Sequence, residues 1–337
     1  MVEPGRVADS LGGPGFDLVE RTAAAIDRYG MLTPGPVVVA VSGGPDSMCL
    51  FDVMARLSKR YSIQPVLAHV DHALSEESDR VAARVGHFAA EGGYDAHVAR
   101  AAELEGPNLH ARARAFRYEF FDIVAKKVGA ERIATGHTLD DRVETTLARL
   151  IHGAGTRGLA GLPPVDNDRV RPLITTRRGQ TSAYCEEREI DYWVDPANED
   201  PRFERARVRY GVIAAIKEGW GDGAVEAIAR SAELLRDDAQ LLEGLADTLY
   251  REIAKEDEAG VTVPLQVFAG IPRPIKRRML ERAVGEVRDR SGGIEAVVDA
   301  FERAEGEPLP HGTRFSVASG IEIAIGDHEI TVSRMPE

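Results

Sequence analysis

Residues 37–47 read VVVAVSGGPDS, a nearly continuous apolar run followed at once by a glycine-rich turn. An apolar run without alternation is typical of a strand buried on both faces of a sheet. The residues that follow, about Asp46–Lys59, predict a helix. Backbone amides of such a turn and of the helix N-terminus converge on one point and bind anions. We therefore expect a phosphate site at residues 42–47.

The loop residues suit that role. Gly43 and Gly44 permit backbone angles and a close approach that a Cβ would prevent. Ser42 and Ser47 supply hydroxyl groups, and Asp46 supplies the carboxylate that Mg²⁺ takes beside phosphate. No Lys-Ser or Lys-Thr pair follows the glycines, which excludes a Walker A loop, and the G-x-G-x-x-G spacing of dinucleotide-binding turns is absent.

Strand and helix candidates alternate through the first 215 residues. The strand candidates are Val37–Val41, Pro65–Val70, Ala96–Ala99 and Arg132–Thr135. The helix candidates are Phe16–Tyr29, Asp46–Lys59, Glu76–Glu91, Asn108–Val128 and Leu139–Ile151. This alternation predicts an α/β fold with a doubly wound, mainly parallel sheet and helices on both faces. In such a sheet ligands bind at the carboxyl ends of the strands.

The pattern changes after Trp220. The remaining candidates are two helices, Asp222–Lys255 and Pro274–Val287, and three short alternating runs, Thr313–Val317, Ile321–Ile325 and His328–Val332. Ser-Gly and Gly-Asp turn signals separate the last three runs. We interpret residues 1–215 as the catalytic domain, with the helix 16–29 at its start, and residues 216–337 as a smaller α+β accessory domain.

The composition limits the class of protein. Hydrophobic residues make up 43% of the 337 residues and charged residues 29%, the balance of a soluble globular protein. No apolar run reaches the roughly 20 residues of a membrane span. The N-terminus lacks the features of a secretory signal, and two cysteines fit a reducing cytoplasm. We interpret Cys49 as a small buried hydrophobe and Cys185 as a bystander on a helix. The net charge of −13 argues against indiscriminate nucleic-acid binding, but it allows a local basic patch.

Three further motifs fall at the expected ligand-binding edge. Residues 69–72 read HVDH and end the second strand, whereas residues 113–118 read ARAFRY within a helix. Residues 136–145 read GHTLDDRVET and run from the fourth strand into a helix, where Asp141 and Glu144 share one face at i, i+3 spacing. The coincidence of glycine-rich, acidic and basic elements at one edge favours a catalytic site over plain helix capping.

The loop SGGPDS resembles the SGGxDS pyrophosphate loop of the N-type ATP pyrophosphatases, the PP-loop family, which adenylate a carbonyl or carboxylate group. The other motifs resemble HVDHxLR, ARxxRY and GHxxDDQxET of the tRNA(Ile)-lysidine synthetases. The resemblance continues at residues 152–162, 171–173, 195–200 and 205–209, so that it covers about residues 36–215. It departs from the family at residues 72–75 (HALS), at Arg142 in place of Gln and at Ala206 in place of Asn.

The resemblance implies a ligase that attaches lysine to the wobble cytidine of tRNA(Ile) with a CAU anticodon. Cytidine would be adenylated by ATP with Mg²⁺, pyrophosphate would leave, and the lysine amine would then displace AMP. The implied catalytic residues are Asp46, Arg117 and Asp141. The implied ATP-binding residues are Ser42, Gly43, Gly44, Pro45, Asp46, Ser47, His69, Gly136 and His137. The implied lysine-binding residues are Asp141 and Glu144, and Asp46 is the implied Mg²⁺ ligand.

Two questions stay open at this point. Asp46 and Asp141 are both candidates for the general base. The alternative function is that of another PP-loop tRNA-modifying enzyme, such as a tRNA thiolase, although neither Cys49 nor Cys185 is placed for sulfur transfer. For tRNA binding we expect Arg171, Arg205, Arg207 and Arg209. Arg171 belongs to a basic cluster with Arg169, Arg177 and Arg178, and the other three belong to a cluster with Arg202. A third basic cluster, which could reach a more distant part of the tRNA, comprises Arg273, Lys276, Arg277 and Arg278. A homodimer is also among the expected assemblies.

Overall fold

The structure is a computed structural model that describes residues 13–71, 78–101, 109–194, 200–257, 260–285, 292–304, 309–317 and 320–334. It contains two compact units that divide between Glu233 and Leu234. The division falls inside a long helix, Gly223–Ile253, because the first turns of that helix pack on the core of the first unit through Val225 and Ala229. The predicted domain boundary between residues 215 and 216 stays a prediction.

The first unit contains a six-stranded sheet in the order β3-β2-β1-β4-β6-β5. The strands are β1 (Gly35–Ala40), β2 (Ile63–Asp71), β3 (Ala96–Arg100), β4 (Arg132–Thr135), β5 (Val165–Asp166) and β6 (Arg169–Val170). Strand β5 is antiparallel to β6, and all other neighbouring strands are parallel. The predicted doubly wound, mainly parallel α/β sheet is therefore confirmed. The β5–β6 hairpin was not predicted, since two-residue strands are too short to show an alternation of apolar and polar residues.

Helices cover both faces of this sheet. In chain order the helices up to the end of the long helix are α1 (Gly13–Tyr29), α2 (Pro45–Tyr61), α3 (Ser78–Gly92), α4 (Leu109–Val128), α5 (Leu139–Ile151), α6 (Thr156–Leu159), α7 (Arg178–Glu187), α8 (Glu204–Arg207), a π-helix (Val208–Ile213), α9 (Ala214–Trp220) and α10 (Gly223–Ile253). On one face Val37 and Val39 of β1 join the core formed with α1, α2 and α7. On the other face Val38 packs with Phe121 and Val124 of α4. Burial on both faces explains why β1 is apolar without alternation.

The second unit contains a five-stranded antiparallel sheet in the order β7-β8-β11-β10-β9. Its elements are β7 (Lys255–Asp257), β8 (Gly260–Pro264), α11 (Leu265–Ala269), α12 (Arg273–Val284), α13 (Gly292–Arg303), β9 (Arg314–Val317), β10 (Ile321–Ile325) and β11 (Glu329–Arg334). The three strands expected near the end of the chain are confirmed, and a separate core around Phe268 and Phe301 holds the unit together. Across the described part of the chain, no helix has the length and apolar character required to span a membrane.

Candidate active site

The glycine-rich loop between β1 and α2 is held in shape by its own serine side chains. The Ser42 amide donates a hydrogen bond to Ser47 Oγ at 3.0 Å, and the Ser47 hydroxyl donates to the Gly44 carbonyl at 2.9 Å. Ser42 Oγ and Ser47 Oγ lie 3.1 Å apart. Pro45 occupies the first turn of α2, where its fixed φ fits the helix and its missing N–H costs nothing. The loop is therefore formed before any ligand arrives.

Two glycines allow neighbouring elements to come close to this loop. Gly43 has φ +84°, and a Cβ there would lie 2.4 Å from Val81 Cγ1 of α3. Gly136 follows β4 directly, and a Cβ there would lie 3.1 Å from the backbone nitrogen of Ser47 and from the carbonyl group of Asp46. Any side chain at either position would push α3 or β4 away from the loop. Glycine at 136 thus brings the loop and the GHTLDDRVET motif to one place.

At that place three carboxylates meet three guanidinium groups. We call this set, consisting of Asp46, Asp141, Glu144, Arg178, Arg205 and Arg209, the carboxylate–arginine cluster. Arg178 begins α7 and contacts all three acids: its Nε lies 3.3 Å from Asp46 Oδ2, its Nη2 2.6 Å from Asp141 Oδ1 and its Nη1 3.0 Å from Glu144 Oε1. The cluster joins α2, α5, α7, α8 and the π-helix at the carboxyl edge of the sheet.

The two carboxylates of α5 are bound on both oxygens. Asp141 Oδ1 accepts from Arg205 Nη2 at 2.6 Å as well as from Arg178, and its Oδ2 accepts from the Thr138 amide at 2.7 Å and hydroxyl at 2.9 Å. Glu144 Oε1 accepts from Arg209 Nε at 2.6 Å and from Arg178. Glu144 Oε2 accepts from Arg205 Nε at 2.8 Å and from Arg209 Nη2 at 3.1 Å. Asp141 therefore caps the start of α5 and also faces the site.

The two aspartates differ in their electrostatic environment. Burial raises the pKa of Asp46 to about 6, although Arg178 and a hydrogen bond from the Thr181 hydroxyl act in the opposite direction. Burial also acts to raise the pKa of Asp141, but Arg205 and Arg178 outweigh it and hold that pKa below its ordinary value. Asp141 is therefore ionised at neutral pH. Asp46 titrates closer to neutrality, where a general base works best.

Two histidines, the buried His69 and the half-buried His137, lie beside the loop. His69 Nδ1 is 2.8 Å from the Val41 carbonyl, and burial lowers the pKa of the imidazole. Burial lowers the pKa of His137 to about 4, and its Nδ1 is 2.9 Å from Thr135 Oγ1. Both rings are therefore neutral at pH 7. This agrees with a role in contacting an uncharged group such as a nucleobase.

The structure places the other expected residues as follows. Arg117 lies on α4 beside Arg114 and Tyr118, and burial lowers the pKa of its guanidinium. Arg171 is buried and donates to the Pro163 carbonyl at 2.6 Å. Arg207 donates to the Pro201 and Arg202 carbonyls at 3.1 and 3.0 Å. Residues 72–75 and 195–199, which carry two of the sequence motifs, lie outside the described residues.

The third basic cluster, at the start of α12, pairs with acids of its own unit. Arg273 and Arg277 both bind Glu295 of α13. Lys276 is buried, 3.4 Å from Glu302, and Arg278 is buried, 3.3 Å from Glu243 of α10. These contacts tie α12 to its neighbours.

Sequence reasoning missed the part that α7 plays in the site. Arg178 was counted only as a member of a basic cluster, and Thr181 was not singled out. Asp140 Oδ2 accepts a 2.8 Å hydrogen bond from the Arg178 amide and so fixes the start of α7 against α5. The only signal in the sequence is an arginine pair, Arg177-Arg178, soon after the Arg171-Pro172-Leu173 motif. Arginines of this kind are more often solvated, so the pattern alone does not indicate a buried site.

Residues 19–216 match the PP-loop domain family of ATP-binding proteins, so the fold and the loop define a PP-loop ATP-binding protein. A tRNA(Ile)-lysidine synthase from Symbiobacterium thermophilum is 37% identical over 90% of this chain and 68% of that protein. One from Mycolicibacterium paratuberculosis is 35% identical over 87% of this chain and 92% of that protein. The chain belongs to the tRNA(Ile)-lysidine synthase family.

A solved structure supports the fold assignment. The U34-tRNA thiolase from Methanococcus maripaludis superposes with a TM-score of 0.54 over 66% of this chain and 79% of that one. Its sequence identity of 18% means that the likeness concerns the fold alone. In this chain Cys49 and Cys185 are both buried, in α2 and α7. Burial raises the pKa of each thiol, so neither suits a thiolate that carries sulfur.

Proposed function

We propose that the chain ligates lysine to the wobble cytidine of tRNA(Ile) with a CAU anticodon, through an adenylated cytidine, releasing pyrophosphate and AMP. One structural observation supports this proposal independently of family membership. A glycine-rich loop that is held by its own serine side chains lies beside Asp46, Asp141 and Glu144, and the pKa is raised for Asp46 and lowered for Asp141. Such a site can bind a polyphosphate and a cationic amine side by side.

The loop is the proposed ATP site. Its backbone amides and the N-terminus of α2 would hold the pyrophosphate, together with the hydroxyls of Ser42 and Ser47. His69 lies near the carboxyl end of β2, and Gly136 and His137 follow β4; these two strands flank β1, and the nucleoside would bind at this edge. Among the described residues no group of three acidic, histidine or cysteine side chains could hold a metal by itself. Mg²⁺ commonly binds one protein carboxylate and completes its coordination shell with phosphate oxygens and water, so Asp46 alone would be a suitable protein ligand.

Adenylation is the first proposed step. The 2-carbonyl oxygen of cytosine attacks the α-phosphate of ATP, and the bond to pyrophosphate breaks. Bound Mg²⁺ would neutralise part of the negative charge on the phosphates. Donors placed where negative charge develops lower the barrier, and the loop amides are such donors on the leaving group. Arg117 of α4 is the proposed partner of the α-phosphate.

Lysine attack is the second step. The ε-amine forms a bond to C2 of the cytosine ring, and AMP leaves with the former carbonyl oxygen. Because an unperturbed lysine ammonium has a pKa of about 10.4, it must lose a proton before it attacks. The ionised Asp141 and its neighbour Glu144 are suited to bind the ammonium. In the metal-free site burial raises the pKa of Asp46 to about 6, so Asp46 is the better-matched base once pyrophosphate has left together with Mg²⁺.

Arg171, Arg205, Arg207 and Arg209 remain the proposed tRNA-binding residues. Arg207 is the most direct candidate, because it is exposed and its guanidinium donates to backbone carbonyls of the preceding turn. Arg171 is buried against the Pro163 carbonyl, so its proposed contribution is to shape the surface rather than to reach phosphate. Free lysine and a homodimer complete the proposed partners.

The test is incorporation of label. The full chain is incubated with an unmodified tRNA(Ile) transcript, ATP, Mg²⁺ and [¹⁴C]lysine, and the products are resolved by thin-layer chromatography and nucleoside mass spectrometry. We expect lysidine at the wobble position with one AMP and one pyrophosphate per turnover. ADP and inorganic phosphate, or labelled sulfur from a sulfur donor in place of lysine, would contradict the assignment.

A further inference from the structure

Asp141 and Glu144 have no free acceptor position in this structure. A carboxylate offers about four lone-pair sites. Asp141 uses them for Arg178, Arg205 and two donors of Thr138, and Glu144 uses them for Arg178, Arg205 and two nitrogens of Arg209. A lysine ammonium therefore finds no partner on either acid while the arginines stay where they are.

The charge of the cluster leads to the same conclusion. The three carboxylates are balanced by three guanidinium groups, and the Glu144 side chain is only 1% exposed. An added ammonium would be a surplus cation in a partly desolvated site, and an unpaired buried charge is strongly unfavourable. A phosphate group that arrives with it gives one guanidinium a new partner of well-matched geometry. Binding of the anion and of the amine is therefore favoured together.

Arg205 is the arginine best placed to leave. Its side chain is 47% exposed, compared with 25% for Arg178 and 21% for Arg209. It bridges the two acids, with Nη2 on Asp141 Oδ1 and Nε on Glu144 Oε2. Its departure frees one acceptor on each carboxylate at the same moment. The vacated position lies between them, where a single ammonium can bind both.

We propose that Arg205 is a displaceable placeholder for the substrate lysine. Its guanidinium occupies the position between Asp141 and Glu144 until a phosphate group binds it, and the lysine ammonium then takes the two vacated acceptors. This rests on the proposed binding of lysine by the two acids. Phosphate and lysine binding are then positively coupled, and by linkage each tightens the other by the same factor. The phosphate is either that of the nucleotide or that of the tRNA backbone.

Equilibrium dialysis of [¹⁴C]lysine against the full chain tests the placeholder. Four conditions are compared at one ionic strength set with NaCl: no anion, inorganic pyrophosphate, unmodified tRNA(Ile) transcript, and both. For the wild-type chain we expect lysine to bind roughly 10-fold or more tighter with at least one anion than without, within the usual range of coupling between sites. Tightening by pyrophosphate assigns the phosphate to the nucleotide, and tightening by tRNA alone assigns it to the tRNA backbone.

The variant Arg205→Ala should bind lysine without any anion about as tightly as the anion-saturated wild type. Arg205→Lys, which keeps a cation in place, should restore the dependence on the anion. The matched control is Arg60→Ala. Arg60 lies in the last turn of α2, at the opposite end of that helix from the glycine-rich loop. Its side chain is 44% exposed and pairs with two acids of α1, Glu20 and Asp27. Arg60→Ala should behave as wild type.

The experiment distinguishes failure of the placeholder proposal from failure of the proposed lysine site. Wild-type lysine affinity that is equal in all four conditions overturns the placeholder and leaves the lysine site assigned. The same holds for an Arg205→Ala chain that still requires the anion. No lysine binding even with pyrophosphate and tRNA together overturns the lysine site, and the placeholder with it. Circular dichroism verifies that each variant is folded, and Arg205→Gln replaces Arg205→Ala if the latter is not.

Discussion

Gly136 and Asp46 are in backbone contact: a Cβ at residue 136 would lie 3.1 Å from the carbonyl carbon and oxygen of Asp46. The neighbouring atoms belong to the first turn of α2 and not to a flexible side chain. A methyl group at this position therefore requires the two backbone segments to shift by a few tenths of an ångström. Because the loop is the proposed ATP site, this contact ties nucleotide binding to the packing of two backbone segments.

Gly136→Ala should weaken the use of ATP while the chain stays folded. We expect kcat/KM for ATP to fall by roughly 10-fold or more, since small misplacements of a binding group have effects of this size. Steady-state kinetics of pyrophosphate release measure the change. Gly86→Ala in α3 is the matched control, because a Cβ there meets nothing within 4 Å. A Gly136→Ala chain with unchanged kinetics would show that the loop tolerates the shift.

Asp46→Asn should abolish turnover and stabilise the fold at neutral pH. Because burial raises the pKa of Asp46 to about 6 from an ordinary 3.8, the folded state prefers the protonated acid. Relative to the neutral Asn, the wild-type chain loses stability as the pH rises from 4 to 6 and regains none above that range. The difference should be about 1–3 kcal/mol at pH 8 and should vanish below pH 4.

Thermal denaturation followed by circular dichroism across pH 4–8 measures this difference in the free energy of unfolding. The catalytic counterpart is the pH profile of kcat/KM in the wild-type chain. A base with this pKa predicts activity that falls as the pH drops below about 6. An Asp46→Asn chain that melts earlier than wild type at pH 8 would make the Arg178 ion pair, not desolvation, the dominant influence on Asp46.

Glu144→Gln should impair lysine binding more than ATP binding. Neutral glutamine cannot balance an ammonium, so KM for lysine should rise about 10-fold or more while KM for ATP changes little. The change also removes one carboxylate partner from each of Arg178, Arg205 and Arg209, so we expect a loss of about 3 kcal/mol in the free energy of unfolding. Glu226→Gln is the control, because it removes an acid partner of Arg177, which lies outside the cluster and also pairs with Asp140. Equal changes in both KM values would argue against a lysine site on α5.

The sequence was sufficient to predict the fold and the position of the motifs that directly follow strands. The carboxyl ends of parallel strands share one edge, so Gly43 after β1 and Asp141 after β4 were expected to lie close together. The sequence also indicates the role of Gly136, because a glycine between a strand and a helix indicates a close approach of two backbone segments. These residues are contiguous with secondary structure that periodicity reveals.

The partners of the arginines were not predictable in the same way. The sequence shows that Arg178, Arg205 and Arg209 are cationic but does not show which acid each one meets. That depends on the path of the chain between β6 and the π-helix, where periodicity is weak. For the same reason the sequence does not show that Arg273 and Arg277, at the basic start of α12, bind Glu295. Pairing of charges is a property of tertiary packing.

Replacing Arg205 and Arg207 together by Ala should weaken tRNA binding and reduce its dependence on salt. Each lost phosphate contact lowers the slope of log affinity against log salt by about one unit, because fewer counterions are released. ATP affinity without tRNA should change little. The control pair is Arg28→Ala with Arg60→Ala, which removes two exposed arginines that pair with Glu233 and with Glu20 and Asp27 and should leave the salt slope unchanged. Filter binding between 50 and 200 mM salt, roughly the range over which such slopes are resolved, measures both pairs. Normal tRNA binding by the first pair at every salt concentration would confine Arg205 to its contacts with Asp141 and Glu144, and Arg207 to those with the Pro201–Arg202 turn.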